Sequence, residues 1–347
     1  MVEAWRALAV AAENPFALPD WQAAWCAAHP QDAPRTFVCR REDGAVAGVL
    51  PLVVRRSGRR RVVLAAGDGA ADFCAPACAP PDCAAVAHAV LGALAGAPRA
   101  WELWRLERVI AGSAWSGALA AAARPAGFAV LPWRAEPPLV VADLSDHDDL
   151  IDAKQRRDIA RLRRRLERDH TVVMRTSEGP AEARRDLGEL LRLHAARWGP
   201  GTFPAPVRAF HADFAARAAE QGWLRLHTLE VDGRPAAVLY GWRLNTRAFA
   251  YSQAFDPAYA RSAVGISLLV TAVEQAAAEG CARFDMLRGD EQHKQRFRIS
   301  SHALESHLVA RRRSPAVLEA LAASSARRAW ARLPARGRSL VGRLTSR

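Results

Sequence analysis

The stretch from Ala248 to Phe297 reads AFAYSQAFDPAYARSAVGISLLVTAVEQAAAEGCARFDMLRGDEQHKQRF and contains the pattern that decides the fold. An apolar and aromatic run at Ala248–Phe255 predicts a strand, and a loop follows at Asp256–Ser262. Helical spacing then extends from about Gly265 to Glu279, and a second short strand is predicted at Ala282–Leu287. The order strand, turn, helix, strand predicts a βαβ unit with parallel strands and a right-handed crossover.

The turn that opens this helix, Ser262–Ser267, has the features of a phosphate site. The first N–H groups of a helix have no intrahelical partner and lie at the positive end of its dipole, so they attract anions. Gly265 would let the phosphates of a ligand come close to the backbone. Neither the Walker lysine motif nor the dinucleotide-binding glycine fingerprint occurs here, which argues against an ATPase or a Rossmann oxidoreductase. Another phosphate-bearing ligand is therefore expected.

The turn resembles the pyrophosphate-binding turn of the GNAT acyltransferase superfamily, Gln/Arg-x-x-Gly-x-Gly/Ala. Ser262, Gly265 and Ser267 fall on its three fixed positions, so only the central glycine is kept. A closer resemblance is to the CelD-type (BioF2-like) acetyltransferases, whose shared segments correspond, in order, to Leu193-His194-x-x-Arg197-Trp198, Asp232-Gly233-Arg234-Pro235-Ala236-Ala237, Phe255–Tyr259 and Phe284–Lys294. These four segments make the resemblance specific over about Ile151 to Arg311.

Both halves of the chain repeat one order of predicted elements, with acidic-glycine turns at Glu42-Asp43-Gly44 and Asp232-Gly233 in equivalent places. Together with the resemblance, this implies an α/β (α+β) fold of two tandem GNAT-like domains. Each would be a mixed, mainly antiparallel sheet flanked by helices. We expect a degenerate N-terminal domain at 1–144, the acetyltransferase domain at 145–312 and a basic tail at 313–347. The first half has no convincing phosphate turn, so only the second is expected to bind a cofactor.

Two further strands are predicted near the ends of these halves. Pro137–Val141 is expected to complete the first half, and Ala303–Val309 is expected to be the last strand of the second half.

The resemblance implies transfer of an acetyl group from acetyl-CoA to an amine, in preference to a hydroxyl, in exopolysaccharide or cell-envelope synthesis. The acceptor would be a small amine or a sugar-linked amine. Asp285, His194 and Glu291 are the candidate general bases, and Tyr259 is the candidate acid for the leaving thiolate. The candidate cofactor-binding residues are Arg261, Ser262, Val264, Gly265, Ile266 and Ser267. The candidate substrate-binding residues are Trp198, Arg197, Arg288, Asp290 and Lys294.

Several of these residues have a structural interpretation as well. Asp285 is a carboxylate inside an apolar strand, so it must be paired or functional, and Arg288 is the expected partner. His194 and Trp198 lie four residues apart, on one helical face, where packing and a pocket wall are equally good interpretations. Tyr259 follows Pro257 in the loop and is equally suited to packing.

Composition limits the class of protein. Hydrophobic residues make up 50% and charged residues 24% of the 347 residues, as in a globular protein of two domains. The six cysteines show no C-x-x-C pair and no companion histidine spacing, so no metal site is predicted, and reduced thiols are expected. The sequence shows neither a signal peptide nor a membrane-spanning run, so a cytoplasmic location is expected.

The net charge of +13 and the pI of about 10.7 favour anionic partners. A basic helix is predicted at Ile151–His170, but it lacks stacking aromatic residues, which argues against nucleic acid as a partner. A solvated helix face is the favoured interpretation, and an anionic acceptor is the second. The tail has the composition of an amphipathic helix for peripheral membrane contact. A solvated, frayed tail is favoured, because terminal segments are usually so.

Two other functions stay open from the sequence. A Fem-type aminoacyl-tRNA-dependent transferase would share the fold and use the basic surface for tRNA. A non-catalytic binding module with the same fold would accept neither donor.

Overall fold

The computed structural model describes residues 1–145, 150–199 and 201–315. In these ranges the helices are α1 (Val2–Ala11), α2 (Pro19–Ala28), α3 (Cys83–Gly96), α4 (Ala114–Ala123), α5 (Ala153–Asp169), α6 (Gly179–Trp198), α7 (Ala205–Glu220) and α8 (Val264–Ala278). The strands are β1 (Ala33–Arg40), β2 (Val46–Ser57), β3 (Arg60–Ala65), β4 (Ala77–Cys78), β5 (Leu103–Ile110), β6 (Phe128–Ala135), β7 (Leu139–Asp143), β8 (Val172–Thr176), β9 (Leu224–Val231), β10 (Arg234–Leu244), β11 (Arg247–Phe255), β12 (Arg283–Arg288), β13 (Ser300–His302) and β14 (Leu304–Arg311). Residues 316–347, and with them most of the predicted basic tail, lie outside the described residues.

The strands form two sheets of seven strands each. The first has the order β1-β2-β3-β5-β14-β6, with β4 paired to β2, and the second has the order β13-β7-β12-β11-β10-β9-β8. In the described chain only β3 with β5 and β11 with β12 pair in parallel, and the other pairs are antiparallel. Helices flank both sheets, so the mixed, mainly antiparallel α/β architecture expected from the sequence is confirmed.

Each sheet contains one strand from the other half of the chain. The strand β7 pairs with β12 and β13 in the second sheet, and β14 pairs with β5 and β6 in the first sheet. The expectation that each strand completes its own half is therefore wrong. An apolar run such as Leu139–Asp143 shows that a strand is buried, but it does not show which sheet buries it.

The two halves repeat their local geometry as well as their order of elements. The hairpins β1–β2 and β9–β10 carry the two acidic-glycine turns, as predicted. The strands β5 and β12, each the second strand of a parallel pair, both contain a bulge at a residue with left-handed backbone. These residues are Arg108, with φ 59°, and Leu287, with φ 57°. This repetition indicates two related halves.

Aromatic side chains from both halves share one core. The Trp21 ring of α2 lies 4.7 Å from the Phe210 ring and 4.9 Å from the Phe214 ring of α7, both measured between centroids. Trp242 of β10 stacks beside Trp21 at 6.2 Å. Large aromatic side chains contribute most of the burial energy of a core, so this cluster ties the halves together. In the described ranges, no helix has both the length and the apolar character needed to cross a bilayer.

Candidate functional site

The main pocket opens where β11 and β12 part. These parallel strands pair from Arg247 opposite Arg283 to Phe249 opposite Asp285, and they have no paired residues beyond that point. The space beyond their last pair has a volume of about 610 Å³. Its walls come from the end of α6, the second half of β11, the first turns of α8, the end of β12 and residues 291–294. The predicted βαβ unit therefore builds the pocket.

A β-bulge in β11 lines this pocket. Tyr240 pairs with Ser252 and Gly241 pairs with Ala250, so Tyr251 is left without a partner in β10. A bulged residue does not take part in regular ladder hydrogen bonding, and its backbone is free to face a ligand. The close approach of the strands requires Gly241, because a Cβ at this residue would lie 1.9 Å from the carbonyl oxygen of Phe249. The Tyr251 hydroxyl points away to the first half, where it donates to the carbonyl oxygen of Ala70 at 2.9 Å.

The first turn of α8 forms another wall. Ala263 precedes the helix with left-handed backbone (φ 55°), and its methyl side chain cannot cap the first N–H groups of α8. Gly265 and Ile266 line the pocket. The positive end of the helix dipole thus faces the pocket, as the phosphate hypothesis requires.

The helix turns two of the predicted cofactor residues away from this pocket. Val264 and Ser267 are buried on the opposite side, and Ser267 faces a smaller space beside α5. Their side chains therefore do not line the main pocket, because successive helical residues point 100° apart. Their backbone N–H groups belong to the first turn of α8, so their contact with a ligand stays a prediction. Arg261 is exposed and Ser262 is half-buried in the 3₁₀ turn Pro257–Ser262, and their role toward phosphate stays a prediction.

Gly265 has a packing role besides the expected one. A Cβ on Gly265 would lie 3.1 Å from the ring of Phe255, which is closer than ordinary van der Waals contact. The side-chain amide of Gln253 also donates to the Gly265 carbonyl at 2.6 Å. Gly265 therefore lets β11 and α8 pack closely, in addition to leaving backbone accessible.

Asp285 lies behind the pocket wall and not in it. Its carboxylate is fully buried, accepts from the Arg247 guanidinium at 2.5 Å and accepts from the Leu287 N–H at 2.7 Å. The expected pairing with Arg288 is wrong, since the partner is Arg247 on the neighbouring strand. Burial raises the pKa of Asp285, although the Arg247 charge opposes this. The geometry suits a carboxylate that fixes the left-handed bulge at Leu287.

The end of α6 contributes a cluster of two rings and a cation. The His194 and Trp198 rings are 4.2 Å apart, and the Arg197 guanidinium lies over the Trp198 ring. Nδ1 of His194 is buried and has no hydrogen-bond partner among the described residues. Partial burial lowers the pKa of His194, and the charge of Arg197 lowers it further. His194 is therefore a neutral imidazole at neutral pH, which suits a proton acceptor.

The segment after β12 supplies the charged side of the pocket. The Lys294 ammonium is buried and donates to the Arg288 carbonyl at 2.8 Å, and it pairs with the Glu291 carboxylate at 2.9 Å. Burial is the largest influence and would raise the pKa of Glu291, but the hydrogen bond and charge of Lys294, a backbone hydrogen bond and the charge of His293 together outweigh it, so the pKa is lowered. Glu291 is therefore ionised at neutral pH. Asp290 is exposed and does not line the pocket.

Arg288 connects the pocket to the first half of the chain. Its side chain lines the pocket, and its guanidinium lies 3.2 Å from the Asp72 carboxylate and 3.6 Å from the Glu136 carboxylate. Burial raises the pKa of Asp72, and the charge of Arg288 opposes the rise. No local pattern in the sequence predicts this contact, because it joins residues more than 150 positions apart.

Tyr259 is not part of the pocket wall. It packs against the core beneath α8, and its ring is 6.4 Å from that of His170. Sequence reasoning missed other lining residues, among them Ser252 and Gln253 of β11, Met286 of β12, and Gln292 and His293. Alternation along β11 could not have identified them, because the bulge at Tyr251 interrupts it.

The space between the parallel strands of the first half is closed. Between β3 and β5 only about 10 Å³ remains, bordered by the loop Gly67–Cys74 and by Arg105 and Arg108. The Arg105 guanidinium donates to Asp68 at 2.8 Å across this space. The position that corresponds to the main pocket is therefore filled by side chains of the first half.

Comparison with known proteins agrees with this architecture. Residues 153–295 match the family model of an acetyltransferase (GNAT) domain. The crystal structure of FemX is similar over 84% of this chain and 90% of its own, with 10% identity and a TM-score of 0.63. The C-terminal domain of a putative lysylphosphatidylglycerol synthetase from Agrobacterium fabrum is similar over 94% of both chains, with 13% identity and a TM-score of 0.60. No curated protein matches the sequence. At such low identity, the similar structures establish the fold alone.

Proposed function

This chain has a tandem GNAT-like, Fem-like fold with a GNAT domain at residues 153–295, and on that premise we propose that it is an N-acetyltransferase. It would move an acetyl group from acetyl-CoA to the amine of a small or sugar-linked acceptor. The observation that carries the proposal is the parting of β11 and β12 beside the bulge at Tyr251, with the first turn of α8 at the same pocket.

The pocket residues suit direct transfer. The donor supplies a thioester carbonyl that an amine can attack, and its oxygen gains negative charge in the transition state. Backbone N–H groups beside the bulge at Tyr251 are preorganised donors for that charge, and one such donor contributes roughly 3–4 kcal/mol in other acyl transfers. Holding the amine against the thioester supplies much of the remaining acceleration.

His194 and Glu291 are the general-base candidates that line the pocket. Both have the required protonation state at neutral pH, since His194 is neutral and Glu291 is ionised. The Glu291 carboxylate already pairs with Lys294, so a proton taken by Glu291 would weaken its bond with the buried ammonium. His194 lines the pocket and forms no ion pair among the described residues, so its protonation would break none, and we therefore propose His194 as the base.

Calorimetric titration with acetyl-CoA, CoA and bulk tRNA tests the donor. Micromolar binding of acetyl-CoA is expected, followed by release of free CoA thiol when a panel of amines and amino sugars is added. Gly265→Leu should abolish this binding, because the side chain would displace Phe255 and block the first turn of α8. Gly92→Leu is the matched control, since Gly92 is a helical glycine with open space around it. Unchanged acetyl-CoA affinity in Gly265→Leu would refute the proposed phosphate turn.

A specific surface feature favours aminoacyl transfer from tRNA as the second candidate. Six exposed cations follow one face of α5 at helical spacing, namely Lys154, Arg157, Arg161, Arg164, Arg165 and Arg168. The apolar residues Ile159 and Leu166 face the protein on the opposite side. Such a stripe attracts the phosphate backbone of nucleic acid.

The same titration separates the two candidates. Tight binding of tRNA that weakens steeply with added salt, without binding of acetyl-CoA, would move the assignment to aminoacyl transfer. Binding of neither compound would point to a non-catalytic module with this fold.

A further inference from the structure

Arg197 is a cation of the pocket that contacts no carboxylate among the described residues. The Arg197 guanidinium carbon lies 4.4 Å from the centre of the Trp198 ring and 4.5 Å from the centre of the Phe255 ring. The described part of the chain offers it no carboxylate partner, whereas Arg288 and Lys294 in the same pocket both contact carboxylates. Arg197 is therefore held in place by two aromatic rings, and its charge remains available to a ligand.

The ring of Phe255 joins this guanidinium to the first turn of α8. Phe255 contacts Arg197 on one side, and its edge lies 3.1 Å from the position of a Cβ on Gly265. Arg197, Gly265 and Ile266 all line the same pocket. The guanidinium and the uncapped N–H groups of α8 therefore border one space.

The first turn of α8 needs such a cation to bind a diphosphate. A helix N-terminus is equivalent to roughly half an elementary charge, whereas a diphosphate diester carries about two negative charges. The side chains of the turn add little inside the pocket, because Ser262 is neutral and half-buried, Ser267 faces the other side of the helix, and the exposed Arg261 does not line the pocket. A planar guanidinium with several donors matches phosphate oxygens in pairs, which an ammonium group does not.

We propose that Arg197 binds the diphosphate of the acyl donor across the pocket from the first turn of α8. This inference rests on the proposed function, since it takes the donor to be a coenzyme A thioester. It moves Arg197 from the acceptor side, where the sequence placed it, to the donor side. The two rings fix the guanidinium before binding, so little side-chain entropy is lost when the ligand arrives.

The test compares donors that differ in their phosphates. Acetyl-CoA, its analogue without the 3′-phosphate and phosphate-free acetyl-pantetheine are titrated into the wild-type protein and Arg197→Ala. The substitution should weaken binding of both diphosphate-bearing donors at least tenfold, and this penalty should shrink as salt is added. The affinity for acetyl-pantetheine should stay the same. Arg197→Lys should recover part of the lost affinity, because lysine restores the positive charge but lacks the planar guanidinium that pairs with phosphate oxygens.

Two control variants separate this role from a structural one. Arg192→Ala removes an exposed cation on α6 that pairs with Glu189, and it should leave all three affinities unchanged. Trp198→Ala keeps the Arg197 charge but removes one of its supporting rings. It should weaken only the diphosphate-bearing donors, by less than Arg197→Ala does.

Each remaining outcome would overturn the inference. Equal weakening for all three donors would show that Arg197 supports the pocket and does not bind phosphate. If Arg197→Ala weakened the binding of acetyl-CoA alone, Arg197 would contact the 3′-phosphate and not the diphosphate. Wild-type affinities in Arg197→Ala would leave the proposed function standing without this residue. Failure of the wild-type protein to bind any donor would refute the proposed function itself.

Discussion

At the scale of single residues, His194 is the group whose protonation should control the rate. Its pKa is lowered, so kcat/KM should fall at low pH as His194 becomes protonated, and this fall (the acid limb of the pH profile) should lie below the ordinary histidine pKa of about 6.5. His194→Gln should lower the rate about 10²–10⁴-fold and remove that limb. The pH profile of thiol release measures both effects, and His88→Gln, at an exposed histidine of α3, is the control. A limb that persists in His194→Gln would shift the base role to Glu291.

Asp285 makes a second prediction at this scale, on stability. Asp285→Ala would leave the Arg247 guanidinium unpaired in a largely buried place, and breaking such a pair costs about 3–5 kcal/mol of unfolding free energy. Asp285→Asn should cost less, because its amide oxygen still accepts from Leu287. Urea unfolding measures both. Asp213→Ala, in an exposed pair with Arg217, should change stability by less than about 1 kcal/mol. Wild-type stability combined with lost activity in Asp285→Ala would instead support a catalytic carboxylate.

At the scale of elements, the bulge between β10 and β11 depends on a single glycine. Gly241→Ala would place a methyl group against the Phe249 carbonyl, so the strands must separate and the bulge at Tyr251 is lost. Both the acetyl-CoA affinity and the melting temperature should fall. Gly188→Ala, in an open position of α6, should raise stability by about 0.5–1 kcal/mol. A variant Gly241→Ala that binds acetyl-CoA normally would show that the bulge is dispensable for the donor.

Sequence periodicity predicted the elements better than their pairing. The strand–turn–helix–strand at Ala248–Leu287 and both acidic-glycine turns follow from local residue preferences, so they were predictable. The bulge at Tyr251 was not, because it depends on how β10 and β11 align across a distance. Likewise, the partner of Asp285 lies on the neighbouring strand and is 38 positions away, whereas sequence reasoning looked three positions away.

At the scale of the whole molecule, the first half positions the charged side of the pocket. Asp72→Asn removes the charge that anchors Arg288, and the segment carrying Glu291 and Lys294 follows Arg288 directly. A charge-assisted hydrogen bond contributes about 1.5–3 kcal/mol, so kcat should fall roughly 10- to 100-fold. Acetyl-CoA affinity should change less than kcat, because the first turn of α8 is untouched.

The control for this prediction is another acidic residue of the first half. Asp82→Asn breaks a surface pair with Arg41 and should leave kcat unchanged. Asp72→Glu should recover part of the rate by restoring the charge. An Asp72→Asn protein with normal kcat would mean that the first half supports the fold but not the reaction.

Because β7 and β14 are exchanged between the two halves, the first sheet cannot be completed during synthesis until β14 has been made. The neighbours of β14 in the first sheet, β5 and β6, leave the ribosome long before Leu304–Arg311 does. At about 5–20 residues per second, the roughly 200 residues after β5 take about 10–40 s. During that time the nascent first sheet has a gap between two unpaired strand edges. A chaperone that covers strand edges should therefore raise the yield of folded protein.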